Sequence, residues 1–141
     1  MTLSFATPDA SKKLNALIHP LVRDEEQRCV DSESSRFPDR DRIFVTEATL
    51  LLEAGGKGRY DKIIVVDVNP AVQVERAVGR GMTKAEAERR MKHQMSRDER
   101  LAQADYVIDN SGDRRAAELA THEVYENLRA DAAAKKLAVS G

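Results

Sequence analysis

An α/β fold with a parallel sheet, flanking helices and a helical cover is predicted for this 141-residue chain from three observations. Lys62–Asp67 reads Lys-Ile-Ile-Val-Val-Asp, with four consecutive β-branched residues. A continuous run of this kind suits a strand buried on both faces of a parallel sheet. Asp105–Ile108 (Asp-Tyr-Val-Ile) is a second short strand, and a stretch of helical pattern separates the two. Strand and helix in alternation imply a parallel sheet with right-handed crossovers.

Taken in order, the elements begin with a helix from Pro8. Leu14, Leu17, Ile18, Leu21 and Val22 recur on a 3.6-residue period and form one apolar stripe. Pro20 interrupts the stripe, which predicts a break or kink at His19 and a fresh helix from Pro20 that dissolves within Asp31–Arg42. Ile43–Val45, β-branched and aromatic, predicts a strand. After the Lys62–Asp67 strand, Pro70 sits where a first helical turn accepts proline, and that helix runs to Gly79. Thr83 with Glu86 and Ser96 with Glu99 are capping-box pairs, opening helices over Lys84–Gln94 and Arg97–Ala104. Asn110-Ser111-Gly112 predicts a turn, Asp113–Leu128 a last helix, and the Ala/Lys-rich end after Ala130 a fraying helix or tail. No internal repeat is present, and the whole chain reads as one domain.

Composition narrows the function. A formal net charge of −1 gives no global field toward nucleic acid or an anionic membrane. The apolar runs are too short to cross a bilayer, and Met1–Ala6 has no basic start, so a cytoplasmic protein is expected. Cys29 is the single cysteine and reads as a half-buried helix residue. No His/Cys/Asp spacing suggests a metal site.

Charge is instead concentrated locally. From Glu75 to Arg100 eight basic residues face five acidic ones, and six of the eight are Arg. The planar guanidinium fork matches phosphate oxygens, and a mobile Arg-bearing cover is one way to stabilise a transferring phosphoryl group. A solvated face with pairs such as Glu86 and Arg90 fits the same pattern. His19, on an apolar stripe, reads as a structural histidine. Glu53 lies near a strand end, where α/β sheets place ligands.

The ordered set of motifs resembles the dephospho-CoA kinase family. It comprises His19-Pro20-Leu21-Val22, Leu50-Leu51-Leu52-Glu53, Ile63–Asp67 with Asn69-Pro70, Gln73-Val74-Glu75-Arg76, Gln94-Met95 and Ala104–Asn110. The resemblance covers about Leu3 to Leu128 and implies a P-loop kinase-like fold. The reaction it implies is transfer of the ATP γ-phosphate to the 3′-hydroxyl of dephospho-CoA with Mg²⁺. By matching position, Ala77–Ala102 would be the lid, with Arg90 and Arg100 as catalytic residues. Gln94, Arg97 and Asn110 would bind the nucleotide, and His19, Arg23 and Glu53 would belong to the dephospho-CoA side.

One family motif is not found. No Gly-rich loop ending Gly-Lys-Ser/Thr occurs in the 141 residues, since Gly56-Lys57 is followed by Gly58. The early acidic residue that the family keeps near the acceptor hydroxyl has no match either, and Thr49 stands where many members carry Pro. The expectation is therefore a partial, P-loop-lacking domain resembling the carboxy-terminal two-thirds of a family member. Such a chain would be inactive alone and prone to self-association, or to pairing with a P-loop half. Two alternatives stay open: a non-catalytic CoA- or nucleotide-binding regulatory module with a P-loop partner, and another nucleotide-kinase relative.

Overall fold

A computed structural model describes residues 8–38 and 42–139, with side chains described from 13 to 136. The chain divides into two compact units, Met1–Phe44 and Val45–Gly141.

The first unit is one long helix, α1 (Pro8–Arg36), and the turn after it. The helix runs through Pro20, so neither a break at His19 nor a fresh helix start at Pro20 occurs. Proline fits helical φ and removes a single i→i−4 bond, that to the Ala16 carbonyl; one turn on, Arg23 Nε donates to the His19 carbonyl at 3.1 Å. The helix also continues well past Asp31, to Arg36, with residues 39–41 outside the described set. Its end is held by Arg42, which reaches back to the Glu33 carboxylate (2.7 Å) and lies over the Phe37 ring at 4.4 Å. No described side chain of α1 is buried, Leu17 being 70% exposed, and Cys29 is exposed and not half-buried.

The second unit carries the sheet. β1 (Ile64–Asp67) and β2 (Tyr106–Asp109) pair in parallel, with Val65 opposite Val107 and Val66 opposite Ile108. Ile63 aligns the pair from below: its N–H donates to the Asp105 carboxylate at 2.8 Å, and its carbonyl accepts from Asp105 and Tyr106. The predicted strand at Ile43–Val45 is absent. These residues are exposed coil and make no ladder with either strand, and a β-branched run does not form a strand without a partner edge.

Burial on both faces is also overturned. β1 buries Val65 and Asp67 but leaves Val66 60% exposed, while β2 buries Ile108 and leaves Val107 exposed. Because side chains alternate, the two strands are covered on opposite faces. α4 (Arg97–Leu101) packs against β1, and α5 (Arg114–Val139), whose Val124 is buried, packs against β2. Two strands with one helix each cannot cover both faces of both.

Between the strands, α2 (Pro70–Gly79) and α3 (Lys84–Lys92) pack together where the buried Ala77 and Ala87 permit close approach. α2 starts with the Asn69 side chain accepting from the Ala71 N–H. Gly81 links α2 to α3 at φ 92°, a left-handed conformation that disfavours any side chain. Both predicted capping boxes form, at Thr83/Glu86 and Ser96/Glu99, although α3 and α4 end earlier than expected, at Lys92 and Leu101. α5 instead runs on to Val139, well past Leu128, since its Ala/Lys sequence favours helix. Ahead of the sheet, Leu50–Gly55 turns into a short 3₁₀ segment at Gly56–Arg59. Gly56 is buried there, and a Cβ would lie 2.8 Å from the Leu51 carbonyl oxygen.

Candidate functional site at the carboxyl ends of the strands

Both parallel strands end in a carboxylate, Asp67 and Asp109, and the two residues are paired in register. In an open α/β sheet this end faces the ligand crevice. The Asp109 carboxylate turns back to accept the Ser111 N–H (2.8 Å), and its contacts with Ser111 hold its pKa below the ordinary aspartate value. Asp67 differs in being buried.

A buried carboxylate needs a cation or several donors. Asp67 takes Arg97, from the first turn of α4, side-on: Nε donates to Oδ1 at 2.9 Å and to Oδ2 at 3.1 Å, and Nη2 donates to Oδ2 at 2.6 Å. That charge-assisted pairing lowers the Asp67 pKa below 3.8 and raises that of Arg97. The Ser96/Glu99 capping box fixes the helix turn from which Arg97 projects.

Around this pair the chain supplies further polar groups. The Asn110 N–H donates to the Asp67 carbonyl (2.7 Å), and the Asn110 carbonyl accepts from Arg76 Nη1 (2.6 Å). Arg76 Nη2 also donates to the Gly112 carbonyl, and the Ser111 hydroxyl accepts the Asn69 N–H, so the loops after β1 and β2 are tied together. Arg100 is anchored by donating to the Met95 carbonyl. Pro70, Gln73, Gln94, Ser96, Arg97 and Arg100 line a depression of about 70 Å³. Pockets that enclose a drug-sized ligand hold roughly 300–1,000 Å³, so these residues form a shallow wall and not an enclosing pocket.

Of the residues singled out from sequence, Gln94, Arg97 and Arg100 share this wall, and Asn110 adjoins it through Asp67. Glu53 reaches the same segment from the other side, its Oε1 accepting the Met95 N–H at 3.2 Å. Arg90 is exposed on α3 and does not line the depression. His19 and Arg23 sit one turn apart on α1, in the first unit. Asp67 and Arg76 were not anticipated as site residues. The signal for Asp67 was present, since a single carboxylate closing an apolar strand must be neutralised by something distant in sequence.

No group of three or more His, Cys, Asp or Glu side chains able to hold a metal gathers among the described residues. Among them, too, no helix is long and apolar enough to cross a membrane.

Comparison with known proteins gives one consistent answer. The family model described as dephospho-CoA kinase matches residues 1–116. The dephospho-CoA kinase of Aquifex aeolicus is 38% identical over 127 residues, covering 90% of this chain and 62% of that protein. That of Cutibacterium acnes is 42% identical over 111 residues, covering 78% and 47%, and that of Frankia casuarinae is 34% identical over 134 residues, covering 95% and 56%. Among solved structures, TT1252 from Thermus thermophilus matches with a TM-score of 0.67 at 31% identity, covering 88% of this chain and 62% of that one. The chain thus spans between 47% and 62% of the length of these curated relatives.

Proposed function

Because the chain belongs to the dephospho-CoA kinase family, we propose that it supplies the lid and the strand-end wall of a site for ATP-dependent phosphorylation of dephospho-CoA. In that reaction the bond between the γ-phosphorus and the β–γ bridging oxygen breaks. A new bond forms to the ribose 3′-oxygen, whose proton is released, and the products are ADP and coenzyme A. The observation that carries the reading is the juxtaposition of Arg97, Arg100 and Gln94 in one wall at the carboxyl end of parallel strands.

Ala77–Ala102 acts as the lid. Arg100 and Arg90 supply positive charge to the transferring group, Arg90 only as the lid closes, because it stands away from the wall. Gln94, Arg97 and Asn110 face the nucleotide. His19 and Arg23 belong to the dephospho-CoA side, and Glu53 acts through the Met95 segment it holds. Mg²⁺ in such a reaction would be held mainly by the nucleotide's phosphate oxygens, with one or two protein carboxylates at most.

No Gly-Lys-Ser/Thr loop lies within the 141 residues, so the cradle for the β- and γ-phosphates comes from other residues. The chain alone therefore binds substrate but does not turn over. Isothermal titration with dephospho-CoA, and separately with ATP and Mg²⁺, tests this together with an ADP-release assay. Dephospho-CoA binding without ATP, and no ADP release, are expected. ATP-dependent phosphorylation by the purified chain would overturn the dependence on an outside loop, and failure to bind dephospho-CoA would overturn the substrate assignment.

A further inference from the structure

We propose that Asp67 is a positioning residue, fixing the Arg97 guanidinium side-on so that its remaining N–H groups form a rigid fork for a phosphate group. The inference rests on the reading that this end of the sheet receives a phosphorylated ligand. A guanidinium has five N–H donors, and Asp67 engages Nε and one edge of Nη2. Nη1 and the other Nη2 hydrogen have no protein partner among the described residues, and the Arg97 side chain is 46% exposed while that of Asp67 is 9% exposed. The carboxylate is thus buried while the guanidinium side chain stays half exposed, in the same depression as Arg100 and Gln94. An arginine on a free stem gives up much side-chain entropy when it grips an anion. One already held by three short contacts, on a helix turn fixed by its own capping box, gives up little.

The competing account is a purely structural pair that ties α4 to β1, with the arginine held away from any ligand. The two accounts predict opposite signs. Replacing Asp67 by Asn removes a negative charge close to the site, so simple charge counting, or release of a held arginine, strengthens anion binding. Loss of positioning weakens it.

The test titrates the full chain and its D67N, R97M, R97K and D67N/R97M variants with inorganic tripolyphosphate, with ATP and with dephospho-CoA. Thermal melts and the Arg97 Nε–H resonance are recorded alongside. D67N is expected to weaken tripolyphosphate binding about tenfold and to broaden or move the Arg97 resonance. R97M should weaken binding at least as much, and the double variant no further than R97M, as expected for two residues acting as one unit. R97K keeps the charge but lacks the fork, so it should also bind more weakly; it decides the matter if D67N fails to fold. Unchanged or tighter binding by D67N, R97K binding like the parent, or no tripolyphosphate binding by the parent, each overturns the inference. Failure of the functional reading shows separately: tripolyphosphate binding with the predicted variant pattern, but no binding of dephospho-CoA, leaves the positioning role standing. Nucleotide binding indifferent to both Asp67 and Arg97 does the reverse.

Discussion

At the carboxyl end of the two-stranded sheet, Asp67 meets Arg97 with its carboxylate 9% exposed; at the amino end, Asp131 of α5 meets Lys62 at 3.0 Å with its side chain 39% exposed. The two ends use the same pairing for different purposes. Asp131 accepts from Tyr106 Oη (2.6 Å) and from Lys62 on the same oxygen, Oδ2, fastening α5 to the start of both strands. Asp67 faces a single guanidinium whose outer edge is unused. The Asp131 cluster joins two protein cations or donors on one oxygen, whereas both Asp67 oxygens are engaged by the one guanidinium. The difference in burial matters too, because half-exposed pairs contribute little to stability while a buried carboxylate deprived of its partner is costly.

The largest expected effect comes from breaking the apolar base shared by the two ends. Ile63→Ala removes a side chain 4% exposed, directly below β1, and should cost about 2–4 kcal/mol, read from denaturant unfolding. Both ends should loosen together. Next, Ser96→Ala removes the hydroxyl that accepts the Glu99 N–H and should cost about 1 kcal/mol. This variant acts on one end only: the Arg97 resonance should move while Tyr106 titrates as before, and a shift in both would mean that the two ends are coupled.

Smaller effects follow from pH. The Tyr106 pKa is raised above 10.0, chiefly by its hydrogen bond to Asp131, and that of Lys62 is raised by the same carboxylate. Raised values contribute stability below the unfolded pKa and lose it as pH climbs through the folded one. Asp131→Asn should therefore flatten the alkaline loss of stability above about pH 10 and bring the Tyr106 absorbance titration back toward its ordinary value. The sign reverses for Asp67, whose pKa is lowered below 3.8 chiefly by the hydrogen bonds from Arg97. Its contribution is complete above the unfolded value and is lost as pH falls through the folded one, so Asp67→Asn should soften the acid limb of a stability–pH profile.

Local chemistry was readable from the sequence wherever the deciding residues were neighbours. Asn69-Pro70 marked the start of α2 and Gly79 its end, and the Thr83/Glu86 and Ser96/Glu99 pairs located two helix starts, because capping is settled within four residues. Ile63–Asp67 announced β1 by its β-branched run. What depended on distant partners was not readable. Ile43–Val45 has strand composition but no ladder, and Val66 belongs to an apolar run yet is mostly exposed, since composition does not reveal how many strands and helices cover a sheet. Pro20 does not divide the 29-residue helix, as one lost hydrogen bond is outweighed by the turns on either side. Of the residues the resemblance singled out, Gln94, Arg97 and Arg100 line the depression while Arg90 does not, and Asp67 needed the fold to bring it within 2.6 Å of a side chain thirty residues away.

The most direct test sets the two carboxylates against each other: tripolyphosphate affinity of the full chain measured for D67N and for D131N, each of which removes one negative charge. If the Asp67 end alone is built to present an arginine, D67N should weaken binding about tenfold and D131N should leave it unchanged or slightly tighter. Equal responses from the two variants, or tighter binding by D67N, would contradict the account and reduce Asp67–Arg97 to a second fastening of the same kind as Asp131–Lys62.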